Sequence, residues 1–235
     1  MQIKNVTNDS ADIYFYGDIV NSAWDKWTEA DTAPEDVLAI LEQAKDKPSL
    51  NIYVNSGGGS VFGGIAIYNI LKRFQGFKTV YVDALAGSIA SVIAMVGDRI
   101  IIPSNSYLMI HKPWNMAVGN SIDFRKMADD LDRIEAGIMN VYAEKLKEGV
   151  DIATIQQMVD AETWLNGNEA AKYFNIEVSE ANDIAACISD NFKNYINVPE
   201  TLVVAEVEPE EVHSLEVVQV DEDEIIRMQM QLQLL

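Results

Sequence analysis

Twice the chain passes from an apolar, β-branched run straight into a small-residue turn and then into a helical pattern, and this strand-then-helix order narrows the possible folds more than any other feature. Leu50-Asn51-Ile52-Tyr53-Val54 reads as a strand running into Asn55-Ser56-Gly57-Gly58-Gly59, and a helix carrying Phe62, Ile65, Tyr68, Ile70 and Leu71 follows. A second strand over 79–82 precedes the helical segment Gly87-Ser88-Ile89-Ala90-Ser91-Val92-Ile93-Ala94-Met95, and further strands are expected over 100–102 and 108–110. Upstream, residues 12–16 alternate apolar and polar positions and stop at Gly17. Pro34, Glu35 and Asp36 then open a helix carrying Val37, Leu38, Ile40 and Leu41, with proline in the first turn and acids at the positive dipole end. Such alternation favours an α/β layered fold with a largely parallel sheet, because parallel strands need crossover connections that helices usually provide. Functional sites in such folds gather at the C-terminal ends of the strands.

Downstream, residues 121–147 read as one long helix capped by Ser121, with Asp123 near its start and Phe124, Met127, Leu131, Ile134, Ile138 and Val141 at helical spacing. Its length suits either a packing helix or one that also builds a subunit interface. After Pro199 acidic residues crowd a stretch whose apolar residues are mostly valine, so 1–198 is expected to form the folded domain and 199–235 an acidic, mobile tail. Residues 228–235 have the pattern of one short amphipathic helix.

Composition excludes several function classes. At 235 residues and 49% hydrophobic content the chain can bury a real core, while a formal net charge of −20 opposes nucleic acid and anionic lipid as partners. The single cysteine, Cys187, allows no internal disulfide and fits a reducing, cytoplasmic setting as a small core residue. No basic start with a long apolar run and no bilayer-length apolar segment is present, so neither secretion nor membrane insertion is expected. Two distant histidines and one cysteine make a metal site unexpected, and nothing calls for a cofactor.

Because His213 lies in the acidic stretch, His111, at the end of Met109-Ile110-His111-Lys112-Pro113, is the main candidate for a base. Taken singly, each motif has a plain structural reading: a tight turn for the glycines, a hydroxyl bonded back to a carbonyl for Ser91 or Ser88, a satisfied histidine for His111. Together, a glycine turn before a helix, a small-residue serine segment and a strand-end histidine supply the oxyanion donors, nucleophile and base that acyl transfer requires. A carboxylate to orient the imidazole is available at Asp160 or Glu162, between which spacing does not choose, and Asp83, Asp98 and Asp123 are further candidates.

These segments resemble the Clp-type serine peptidases, over roughly residues 12–178, and more closely the Clp-related head maturation proteases of tailed phages and prophages. Tyr53-Val54-Asn55-Ser56-Gly57-Gly58-Gly59 resembles the family's Asn-Ser-Pro-Gly-Gly turn, with Gly57 in place of proline. Gly87-Ser88-Ile89-Ala90-Ser91-Val92 resembles the nucleophile segment, and Met109-Ile110-His111-Lys112-Pro113 the base segment. Residues 114–119 and Phe124-Arg125-Lys126-Met127-Ala128-Asp129-Asp130-Leu131 point to the phage branch.

The resemblance implies the spiral α/β core shared with crotonases and a ring-shaped homo-oligomer in which the long helix meets a neighbour. It implies Ser91 as nucleophile, with Ser88 structural, His111 as base, and the backbone N–H groups of Gly59 and Val92 as oxyanion donors. Glu162 then falls where the family carries its triad aspartate. The implied function is an ATP-independent serine endopeptidase cleaving capsid or scaffold proteins in a host cytoplasm or prohead, with residues 115–118 lying along an extended substrate. The rival reading is a non-catalytic assembly or scaffolding protein that keeps the fold. A crotonase-like acyl-CoA enzyme ranks third, because that chemistry gives no reason for a paired serine and histidine.

Overall fold

The computed structural model describes residues 2–4, 6–7, 9–181 and 194–199. Cys187 and nearly all of the acidic stretch, with His213 and the helix expected over 228–235, lie outside the described residues. Strand β1 (Gln2–Lys4) pairs antiparallel with β2 (Ser10–Phe15). From β2 the sheet runs in parallel pairings through β3 (Ser49–Ser56), β4 (Phe77–Gly87) and β5 (Arg99–Pro103) to β8 (Glu177–Ser179). The mixed α/β fold with a largely parallel sheet, expected from the strand–helix alternation, is the one that forms.

Strand β4 changes partner along its length, and this change builds the site. Thr79, Val80 and Tyr81 pair with β5, whereas Leu85, Ala86 and Gly87 pair with β6 (Tyr107–Ile110). At the switch the Ser106 hydroxyl donates to the Asp83 carbonyl at 2.8 Å, so a buried acceptor between the two pairings is not left empty. Strand β6 then pairs antiparallel with β7 (Thr163–Asn166). The C-terminal ends of β3, β4 and β6 are thereby adjacent.

One face of the sheet carries the core. Ile13, Phe15, Leu50, Ile52, Val54, Val80, Val82, Ile100 and Ile102 are all buried. They pack with the buried faces of α1 (Pro34–Ala44), α2 (Val61–Lys72) and α3 (Ile89–Ala94). Each such aliphatic side chain stabilises the fold by roughly 1.5–3 kcal/mol, so this layer carries the stability. On the opposite face Tyr14, Tyr53 and Tyr81, directly opposite one another in register, stack with centroids 4.6 and 5.0 Å apart.

Helix α4 (Ser121–Ala143) begins one residue earlier than a Ser121 cap would require. Asn120 is the cap: its side-chain oxygen accepts the N–H groups of Ile122 at 2.8 Å and Asp123 at 3.4 Å, while the Asp123 carboxylate accepts the Asn120 N–H at 2.9 Å. The helix also ends before Lys147, because the chain leaves it to bond the Lys147 N–H to the Tyr173 carbonyl. Its first fully buried residue is Glu135; Ile122 and Phe124 face outward, whereas Met127, Leu131 and Ile134 are half-buried and Ile134 packs against the core. Helices α5 (Ile152–Asp160) and α6 (Gly167–Tyr173) flank β7. Among the described residues no helix is long and apolar enough to cross a membrane.

Candidate active site

The glycine turn after β3 is shaped by what it touches. The Gly58 carbonyl accepts the Ile19 N–H at 2.8 Å, and the Ser60 N–H donates to the Ile19 carbonyl at 2.7 Å, tying the turn to the segment after β2. Gly58 has φ +104°, and a Cβ there would sit 2.7 Å from Ser88 Cβ and 2.8 Å from the Gly87 carbonyl oxygen. Only glycine permits this backbone to lie against the residue that follows β4.

That residue, Ser88, has φ 52° and ψ −125°. It is a non-glycine residue held at positive φ on a sharp strand-to-helix turn, at a cost of order 1–3 kcal/mol. The strained turn lifts the side chain off the sheet end, as a nucleophile elbow does. The Ser88 N–H is bonded to the Met109 carbonyl at 2.9 Å, which docks the turn onto β6. Its hydroxyl and His111 Nε2 are 2.7 Å apart.

The serine paired with the imidazole is therefore Ser88, and the pairing expected of Ser91 does not form. Ser91 lies one turn into α3, fully buried. Its hydroxyl donates to the Ser88 carbonyl and pairs with the Tyr142 hydroxyl at 2.7 Å. Burial pushes the Tyr142 phenol well above its ordinary pKa, so it is a neutral strut between α3 and α4. Val92, expected to offer an oxyanion N–H, lies fourth in α3, where an amide is committed to the carbonyl four residues back. The amide just past Ser88 is that of Ile89, which opens the helix and has no intrahelical acceptor. Of the glycines, Gly59 lines the same cleft as Ser88, and the Gly58 N–H is bonded to Ser56 Oγ at 3.2 Å.

Burial lowers the pKa of His111, with the negative charge of Glu162 acting in the opposite direction. The imidazole is thus neutral at physiological pH, the form a general base needs. Glu162 is buried at φ 49°, next to β7, but it makes no hydrogen bond to His111. Its Oε1 instead accepts the N–H groups of Ile196 and Asn197, each at 2.7 Å, and Trp164 Nε1 at 3.4 Å. The other carboxylates are engaged elsewhere: Asp160 with Lys112 at 3.2 Å, Asp98 with Lys78 at 3.0 Å, Asp83 with the Tyr16 hydroxyl, and Asp123 at the start of α4.

Tyr195 carries no sequence motif and is the residue that pattern reading misses. Its ring meets His111 edge-on with centroids 5.1 Å apart and Trp164 at 5.9 Å, and its hydroxyl donates to the Gly57 carbonyl. Burial raises its pKa, offset in part by a hydrogen bond with the Ser88 side chain. Ser88, His111 and Tyr195 share a cleft of about 510 Å³ whose apolar lining includes Trp27, Phe62 and Trp114. Among the described residues no cluster of histidine, cysteine and carboxylate side chains has the arrangement of a metal site.

A serine hydroxyl bonded to a buried neutral imidazole, beside a glycine turn and a helix N-terminus, can carry out acyl transfer. Comparison with known proteins agrees in fold and sequence. The chain is 30% identical over 148 residues to an "ATP-dependent Clp protease proteolytic subunit" of Pleurastrum terricola, covering 62% of this chain and 74% of that one. It is 29% identical over 140 residues to the protein of the same description in Chlorella vulgaris, covering 58% of this chain and 68% of that one. The solved structure of a ClpP1 point mutant from Listeria monocytogenes superposes with a TM-score of 0.59 at 24% identity, covering 73% of this chain and 92% of that chain, which is a likeness of fold. With residues 8–177 matching the family model described as Clp protease, the chain belongs to the Clp protease family.

Proposed function

We propose that the chain is a serine endopeptidase in which Ser88 is the nucleophile and His111 its base. The observation that carries this reading is the 2.7 Å approach of Ser88 Oγ to His111 Nε2 at a residue held at positive φ. Ser88 attacks the scissile carbonyl as His111 takes its proton; His111 returns that proton to the leaving amine, and water hydrolyses the acyl-enzyme. The Ile89 N–H, at the start of α3, together with the glycine turn, faces the developing oxyanion. Glu162 is the acid nearest in role, acting on the imidazole by its charge.

The substrate is an extended polypeptide lying in the cleft past Trp114 and residues 115–118, and the active form is a homo-oligomeric ring. The sequence pattern over 114–131 supports a phage or prophage head maturation role, with capsid or scaffold protein as substrate, no nucleotide requirement, and action in the host cytoplasm or prohead. A purely structural assembly role gives no reason to maintain backbone strain at Ser88. Hydrolysis of unstructured casein without nucleotide, followed by gel and mass spectrometry, tests the reading: the wild-type chain cleaves it, and Ser88→Ala and His111→Ala do not. Cleavage persisting in a folded Ser88→Ala protein would refute the assignment. A procapsid scaffold protein, offered in the same assay beside casein, tests the head maturation role by being cleaved at fewer, discrete sites.

A further inference from the structure

Segment 194–199 lies across the site just described, and it engages three of its parts at once. The Tyr195 hydroxyl donates to the Gly57 carbonyl, and its side chain lines the same cleft as Ser88, placing a phenol beside the proposed nucleophile. The Tyr195 ring stands edge-on to His111. The Ile196 and Asn197 N–H groups both donate to Glu162 Oε1 at 2.7 Å, and Asn197 Nδ2 donates to the carbonyls of Ala161 at 2.9 Å and Glu162 at 3.1 Å. The Glu162 carboxylate, whose charge acts on His111 without a hydrogen bond between them, is thus held by the chain's own backbone.

We infer that residues 195–197 form an autoinhibitory strap, which fills the space beside Ser88 with the Tyr195 phenol and holds Glu162 away from His111 until substrate displaces it. The inference rests on the peptidase reading. Two observations favour a displaceable strap over a permanent part of the site. Ile196 is 87% exposed, so its apolar side chain does little to anchor the segment. Its hold is a handful of hydrogen bonds, two of them to the Glu162 carboxylate, and one aromatic ring, all of a kind that a bound peptide can replace. An entering peptide main chain supplies equivalent donors and acceptors, so exchange of strap for substrate is close to balanced.

The test measures the rate at which a small fluorophosphonate modifies Ser88 in the full chain, by intact mass, for wild type, Tyr195→Phe, Tyr195→Ala and Asn197→Pro. Hydrogen exchange at residues 195–197 is measured before and after modification. Tyr195→Phe keeps the ring and removes only the hydroxyl; Asn197→Pro removes the backbone donor to Glu162 together with the Nδ2 bonds to the Ala161 and Glu162 carbonyls. Tyr195→Phe is expected to be modified about tenfold faster than wild type, the population shift that loss of one hydrogen bond from the closed state produces, and Tyr195→Ala and Asn197→Pro, which lose more, at least as fast. Exchange at 195–197 is expected to rise once Ser88 is occupied. Equal rates would overturn the strap while leaving the peptidase reading intact. Slower modification would overturn it in favour of a positioning role for the segment. No adduct on Ser88 in any folded variant would overturn the peptidase reading itself, and the strap with it.

Discussion

Removing the Ser91 hydroxyl separates the two serines, because it touches the fold and leaves the proposed chemistry in place. Ser91 is fully buried and its hydroxyl is the only side-chain hydrogen-bond partner of the Tyr142 phenol among the described residues. In Ser91→Ala that phenol loses its partner in a closed interior, which costs about 1–3 kcal/mol. For a domain of this size that is a fall of roughly 2–12 °C in melting temperature. Tyr142→Phe costs less, about 1 kcal/mol, because Ser91 keeps its bond to the Ser88 carbonyl. The double variant leaves neither group stranded, so its loss is expected to fall below the sum of the two singles. Urea unfolding gives the stabilities, and casein hydrolysis by the same samples gives the activity. All three variants are expected to remain active where folded. An inactive Ser91→Ala of near wild-type stability would refute the assignment of structure to Ser91 and chemistry to Ser88.

Other consequences concern the base and the turn. Because burial lowers the His111 pKa, the acid limb of the activity profile is expected to have its midpoint below the ordinary imidazole value of 6.5. Activity falls as pH drops through that midpoint, since the protonated ring cannot accept the serine proton; a midpoint above 6.5 would contradict the burial argument. Gly58→Ala forces a Cβ to within 2.7 Å of Ser88 Cβ and strains a backbone at φ +104°. It is expected to cut kcat/KM by about 10²-fold through displacement of Ser88, with a smaller loss of stability, as read by steady-state kinetics beside thermal melts.

The strands around the site are legible because they are long and their alternation is clean: Leu50, Ile52 and Val54 point into one layer while Tyr53 points out. Of the short ones, β5 and β6 still register as apolar runs ahead of His111, and β7 does not. Strand β7 is four residues long and follows α5 after only two residues, too little sequence for either period to register. The apolar spacing of α4 is read correctly as helical, yet Phe124 and Ile122 face outward, because a stripe of apolar positions says that a face is apolar and not what covers it.

At the site, both serines lie in the same small-residue run, and composition does not separate them. What separates them is backbone geometry: β4 runs on to Gly87, so the strand-to-helix corner, with its positive φ, falls on Ser88, and Ser91 is carried a turn inside. A strand end placed at Val82 puts that corner too early to see this. Tyr195 joins the site from far along the chain, through a contact that no local pattern encodes.

The most direct measurement is the position of a covalent adduct. The folded chain is treated with a fluorophosphonate and digested, and the modified residue is located by tandem mass spectrometry, with Ser91→Ala and His111→Ala in parallel. The account predicts one adduct, on Ser88, retained in Ser91→Ala and lost in His111→Ala. An adduct on Ser91, or labelling that disappears in a folded Ser91→Ala protein, would contradict it.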